Sequence, residues 1–121
     1  MGDSSYGTFR GMTASNRASL PIIHLSARAW REPIDFVDAV KEALGASEGC
    51  GSGINAMIDV MIYGGMSRIE PPYVVRISDV DTAPQAVRDH IVVTAQAVAA
   101  ERKWKLEHYG EDVEVSIEAS P

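Results

Sequence analysis

Three residue types could do chemistry here, and the glycine-rich stretch Gly49-Cys50-Gly51-Ser52-Gly53 gathers the most suggestive of them. Glycines ahead of a helix expose backbone N–H groups that can hold an anion. A cysteine beside a helix N-terminus can have a lowered pKa and act as a nucleophile. The spacing matches neither the dinucleotide-binding glycines nor a phosphate loop ending in Lys and Ser or Thr, and no strand precedes it as those motifs require. The stretch therefore reads first as a helix–helix connection, with a Cys50 or anion-binding chemistry kept as an alternative. Histidines His24, His90 and His108 show no H-x-x-x-H spacing, and Cys50 is the single cysteine, so no metal site or cofactor is expected. A Cys50–His pair stays open, because catalytic partners can lie far apart in a chain.

Bulk properties narrow the classes further. The chain has 121 residues, 45% hydrophobic and 23% charged, which suits one globular domain with a real core. Its formal net charge of −6 argues against binding a nucleic-acid backbone and suits attraction to a basic partner. The cluster Arg102-Lys103-Lys105 reads as cations at a helix end, and Trp30 and Trp104 as core or core-edge residues rather than a base-stacking series. No run approaches the roughly 18 apolar residues of a membrane span. The first residues lack a secretory h-region, and Tyr6 stands where a myristoylation signal would want Ser or Thr. The expectation is a cytoplasmic protein, in keeping with its lone cysteine, with a flexible Gly/Ser/Thr-rich arm at 1–19 and a domain at 20–121.

The elements that must position these residues follow from periodicity. Residues Pro21–Ala27 read as a first strand. Pro33 opens a helix through IDFVDAVKEAL, whose Phe36, Val37, Val40 and Leu44 fall on one stripe and which Gly45 ends. INAMIDVMIY, Ile54–Tyr63, reads as a second helix. YVVRIS after Pro71-Pro72 reads as a strand with Tyr73, Val75 and Ile77 on one face and Val74 on the other, as if both faces were covered. Thr82 is placed to cap a long helix with Pro84 in its first turn, running to about His108 and burying Val87, Ile91, Ala95, Val98 and Leu106. VEVSIEA, Val113–Ala119, closes the chain as an alternating strand. The β-α-α-β-α-β order predicts an α/β fold, a three-stranded parallel sheet packed against helices.

The second helix is apolar on too many sides. Ile54, Met57 and Met61 make an ordinary buried stripe, yet Ile58 and Ile62 form a second apolar row beside Asn55 and Asp59. Either the helix is covered nearly all round, or the second row belongs to a binding surface next to an acidic anchor. Here Gly51-Ser52-Gly53-Ile54-Asn55-Ala56-Met57-Ile58-Asp59-Val60-Met61 resembles the barstar family, whose members follow a glycine-containing loop with the pattern G-x-N-L-D-A-L-x-D-x-L. The similarity runs over roughly Pro21–Ala119 and is specific only across Gly51–Met61.

The resemblance implies a barstar-like three-stranded parallel sheet with packed helices. It also implies an inhibitor or immunity protein, not an enzyme, that blocks a basic ribonuclease or related toxin. Carried over by position, Asp59 would be the carboxylate that replaces an RNA phosphate in the partner's basic active site. Gly49, Gly51, Asn55, Ile58, Ile62 and Tyr63 would complete the partner-binding surface. The sequence departs from the family at four of its positions. Asn55 stands for an aspartate, Gly53 for an asparagine, and Gly49 and Ile58 for aromatics. These departures point to a target other than barnase. An interaction or regulatory module that has lost inhibition is the alternative.

Overall fold

A computed structural model describes residues 20–46, 51–64 and 67–121. Three strands, β1 (Ile22–Ser26), β2 (Tyr73–Ser78) and β3 (Val115–Ala119), form one parallel sheet in the order β1-β2-β3. Helices α1 (Pro33–Ala43) and α2 (Ile54–Met61) connect β1 to β2. A 3-10 turn at Val80–Thr82 and helix α3 (Gln85–Tyr109) connect β2 to β3. The architecture is thus the α/β fold expected, with the helices in the expected order.

Register follows from the alternation of parallel ladders. Tyr73, Val75 and Ile77 sit opposite Val115, Ile117 and Ala119, and Val75 and Ile77 opposite Ile23 and Leu25. This set faces the helices. Tyr73, Val75, Ile77, Val115 and Ile117 join Phe36, Val37, Val40 and Leu44 of the α1 segment, Met57, Val60 and Met61 of α2, and Val87, Ile91 and Val98 of α3 in one core.

Among the described residues helices cover one sheet face, where two covered faces were expected. Ile22, His24, Ser26, Ser78 and Glu118 are exposed on the opposite face, and no helix among the described residues lies over them. The physical reason is topological. Right-handed crossovers that add strands always in the same direction put every helix on the same face, and only a reversal of strand order would cover the other. The open face is polar accordingly, with Arg76 bonded to Glu118 through Nε and Nη2 at 3.2 and 3.1 Å. Val74, at 8% exposed, is the apolar exception.

Local chemistry explains the element ends. Asp35, in the first turn of α1, accepts hydrogen bonds from the N–H groups of Arg31 and Glu32 at 2.8 and 3.0 Å. Those two bonds hold its carboxyl below its ordinary value. After α1, Gly45 N–H bonds Glu42 O and Ala46 N–H bonds Lys41 O, the paired closure of a helix ending in a left-handed residue. Gly45 has φ +68°. Pro84, not Thr82, is the N-cap of α3; Thr82 instead donates from Oγ1 to Asp79 O at 2.7 Å within the turn.

The long helix also buries less than its pattern promised. Val87, Ile91 and Val98 are core, but Leu106 is 45% exposed. Beyond β3 the sheet has no further strand among the described residues, so those residues cover the flank of α3 that carries Leu106 only in part.

Candidate functional site

Helix α2 is set by its two ends. Its first hydrogen bond runs from Met57 N–H to Gly53 O at 3.1 Å, with Gly53 as an extended N-cap that carries no capping side chain. The loop before it is held by Lys41, whose Nζ donates to Gly51 O at 2.5 Å. Gly51 has φ +81°, a conformation that a side chain would resist. The helix closes with Ile62 N–H on Ile58 O at 2.8 Å.

The expected surface divides on this frame. Asn55 and Asp59 are both exposed, one turn apart on the same face. Asp59 offers carboxylate oxygens and Asn55 offers a donor and an acceptor, a combination suited to Arg, Lys or His groups on a partner. Ile58 is half-buried and packs against the core with part of its side chain. Ile54 is likewise only half-buried, whereas Val60, unassigned by the sequence reading, is 2% exposed.

Ile62 requires a correction. It is 3% exposed and belongs to the core, so it is not part of a partner-facing row. On an isolated helix its position projects toward solvent near Asn55. The cover arises because α3 runs alongside the C-terminal end of α2, as the contacts of the next residue show. Tyr63 donates its hydroxyl to Glu101 of α3, and the Lys105 ammonium sits 4.9 Å from the centre of the Tyr63 ring. Length of a neighbouring helix is not written in the α2 sequence, so periodicity alone could not place Ile62.

Tyr63 stays on the surface, at 47% exposed. Its hydrogen bond to the Glu101 carboxylate pushes its hydroxyl pKa up to about 12. Beside it lies Trp104, 41% exposed, with its ring stacked on His108 at 4.4 Å and Tyr109 edge-on at 5.5 Å. Tyr63, Ala97, Ala100, Glu101 and Trp104 line a shallow recess of about 550 Å³. Trp104 is the site residue that sequence reasoning missed. The available signal was its i+4 spacing to His108 and its position off the Val87–Ile91–Val98 stripe.

Gly49 and Cys50 lie outside the described residues, as does the arm at 1–19. Of the histidines, His90 packs edge-on against Phe36 with ring centres 5.8 Å apart. His108 closes on its own helix, Nδ1 lying 2.9 Å from Trp104 O. Among the described residues no group of three His, Cys, Asp or Glu side chains could hold a metal ion. No described helix is long and apolar enough to cross a membrane.

Comparison with protein-family models and with curated proteins yields no match to this chain.

Proposed function

We propose that this chain is a protein-binding inhibitor or immunity protein, acting through the Gly49–Gly64 loop and α2 on a basic ribonuclease or related toxin. The observation that carries this reading is the exposed pair Asn55 and Asp59 on one face of α2, a turn before the exposed Tyr63, which shares a shallow recess with Trp104. A carboxylate one turn from an exposed Tyr has the composition of an interface hot spot. The net charge of −6 would steer the chain toward a cationic partner.

The β-α-α-β-α-β order is the one that the barstar-like resemblance of Gly51–Met61 implies, which supports the same reading. Open α/β sheets bind ligands where the strand order reverses, and the described strands run β1-β2-β3 with no such reversal. An acidic domain with one cysteine is suited to a reducing cytoplasm, where an inhibitor would guard against a nuclease.

The second reading, an interaction module that does not inhibit, is favoured by Asn55 and Ile58, which stand where the family pattern has a charge and an aromatic. A panel of microbial ribonucleases decides between them. Inhibition of at least one is expected, and Asp59→Ala should weaken it by about 30-fold, the equivalent of a hot spot of ~2 kcal/mol. The same variant should unfold at the same urea concentration as the parent, since Asp59 is exposed. A panel left wholly active would sink inhibition and leave the module.

A further inference from the structure

The flank of α3 away from Tyr63 and Trp104 is incomplete in a particular way. Strand β2 has neighbours on both sides, whereas among the described residues β3 is an edge. Tyr73 N–H bonds Glu114 O and Ser120 N–H bonds Ile77 O, so the even-numbered residues of β3 face β2. The backbone groups of Val115, Ile117 and Ala119 therefore point outward. Arg102 Nη1 reaches Val115 O at 3.4 Å. The N–H and C=O of Ile117 and Ala119 have no partner among the described residues. Above this edge a groove of about 390 Å³ runs between β3 and α3, lined on the helix by Ala95, Ala99 and Leu106 together with Arg102 and Lys103. Val92, 51% exposed, and Leu106, 45% exposed, extend the apolar flank at either end. An edge with free backbone groups beside small apolar residues is shaped for one more strand.

We propose that the added strand is β3 of a second copy of this chain, antiparallel across a two-fold axis at Ile117. A closed pairing of this kind must be self-complementary, and both layers are. In the sheet, pairing about Ile117 sets Glu118 opposite Ser116 and Val115 opposite Ala119 of the second copy, with no like charges facing. The helix layer has its own centre. Arg102 lies over Val115, and two strand residues advance roughly 7 Å, equal to between four and five helical residues. The axis through Ile117 therefore crosses α3 near Ala97–Val98, in keeping with the Ala95 and Ala99 that line the groove beside Ile117. Residues equidistant from that centre are Gln96 and Ala99, Val92 and Lys103, Asp89 and Leu106, and Arg88 and Glu107. Arg88 thus stands level with Glu107 of the second copy, within reach of its long side chain, and Lys103 lies within a turn of the other Asp89. The small residues near the axis let the two helices approach. Both α2 faces stay open in such a dimer, so it stands or falls apart from the proposed function.

Sedimentation of the full chain tests the pairing. A species of about 26 kDa, twice 13.1 kDa, should grow with concentration at the expense of the monomer. Ala119→Pro removes an outward N–H while leaving the bonds of Glu118 and Ser120 to β2 intact, and should weaken the dimer at least tenfold with little change in circular dichroism. Leu106→Glu tests the helix layer without touching the strand and should weaken it similarly. Arg88→Glu and Glu107→Arg should each weaken association, and their combination should restore it. A chain that stays monomeric at every concentration overturns the proposal, as does a dimer indifferent to both Ala119→Pro and Leu106→Glu. A monomer whose Ile117 and Ala119 amides resist hydrogen exchange also overturns it, because residues of the chain itself then cover the edge.

Discussion

A single side chain carries much of the binding argument, and Tyr63 shows how the fold prepares it. A tyrosine 47% exposed would ordinarily sample several rotamers, and fixing it on binding costs conformational entropy. Here Glu101 accepts its hydroxyl and Lys105 lies over its ring, so the aromatic is held before any partner arrives. The same contact makes a measurable prediction. The neutral hydroxyl donates to Glu101, and ionisation would set two negative charges together, which is why its pKa stands near 12. Alkaline titration followed by tyrosinate absorbance should show a component near 12 that Glu101→Gln moves down toward the ordinary value of about 10. Identical curves for the two proteins would mean that the bond does not form in solution. Tyr73 does not confuse the reading, since burial pushes its pKa higher still and Gln at 101 does not touch it.

At the scale of elements, the sequence was readable where one side chain or one stripe decides the outcome. The α1 stripe of Phe36, Val37, Val40 and Leu44 is fully buried, and the helix stops where Gly45 stops it. Gly45 is required twice over. Its φ is +68°, and a Cβ there would lie 2.9 Å from Arg68 Cβ. The turn holding Arg68 cannot easily withdraw, because Arg68 N–H and Ile69 N–H both bond Leu44 O. Gly45→Ala should therefore cost about 2 kcal/mol in urea unfolding, the left-handed backbone and the crowding acting together. A loss below about 0.5 kcal/mol, the range of an unstrained surface change, would show that the turn adapts. Legibility ended where burial depends on distant neighbours. Ile62 is covered because α3 passes the end of α2, and Leu106 is 45% exposed because no strand among the described residues lies beyond β3. Val74 suggested two covered faces because an apolar residue in a central strand signals burial without saying what buries it. The candidate site follows the same rule. Asp59 and Asn55 were legible as a polar row on one helix, whereas the recess that Trp104 shares with Tyr63 depends on how α3 passes α2, which the spacing of Trp104 within its own helix does not encode.

At the scale of the whole molecule, three carboxylates fasten the ends of its elements, and their displaced pKa values tie acid stability to the fold. Asp79, with φ +59°, accepts Ser26 Oγ at 2.7 Å and Arg28 Nη2 at 3.0 Å, joining the carboxyl ends of β1 and β2. Asp112 takes both arms of Arg102, from Nε at 2.6 Å and Nη2 at 2.9 Å, joining the entry of β3 to α3. Asp35 holds the start of α1. All three are shifted downward: Asp79 chiefly by the Ser26 hydroxyl, Asp112 by Arg102, and Asp35 by the Arg31 and Glu32 N–H groups. A carboxyl with a folded pKa below its unfolded value binds fewer protons when folded. Its stabilisation is complete above the unfolded value and disappears as pH falls through the folded one. The unfolded Asp value is about 3.9, so the urea midpoint should begin to drop as pH approaches 4 and go on dropping below it. Solvent screens each of these surface contacts, so each contribution is small. Asp79→Asn and Asp112→Asn should lower stability at pH 7 and leave a shallower acid limb, converging on the parent at the lowest pH. Parallel curves for parent and double variant would show that these bonds do not carry the acid response, and that other carboxylates do.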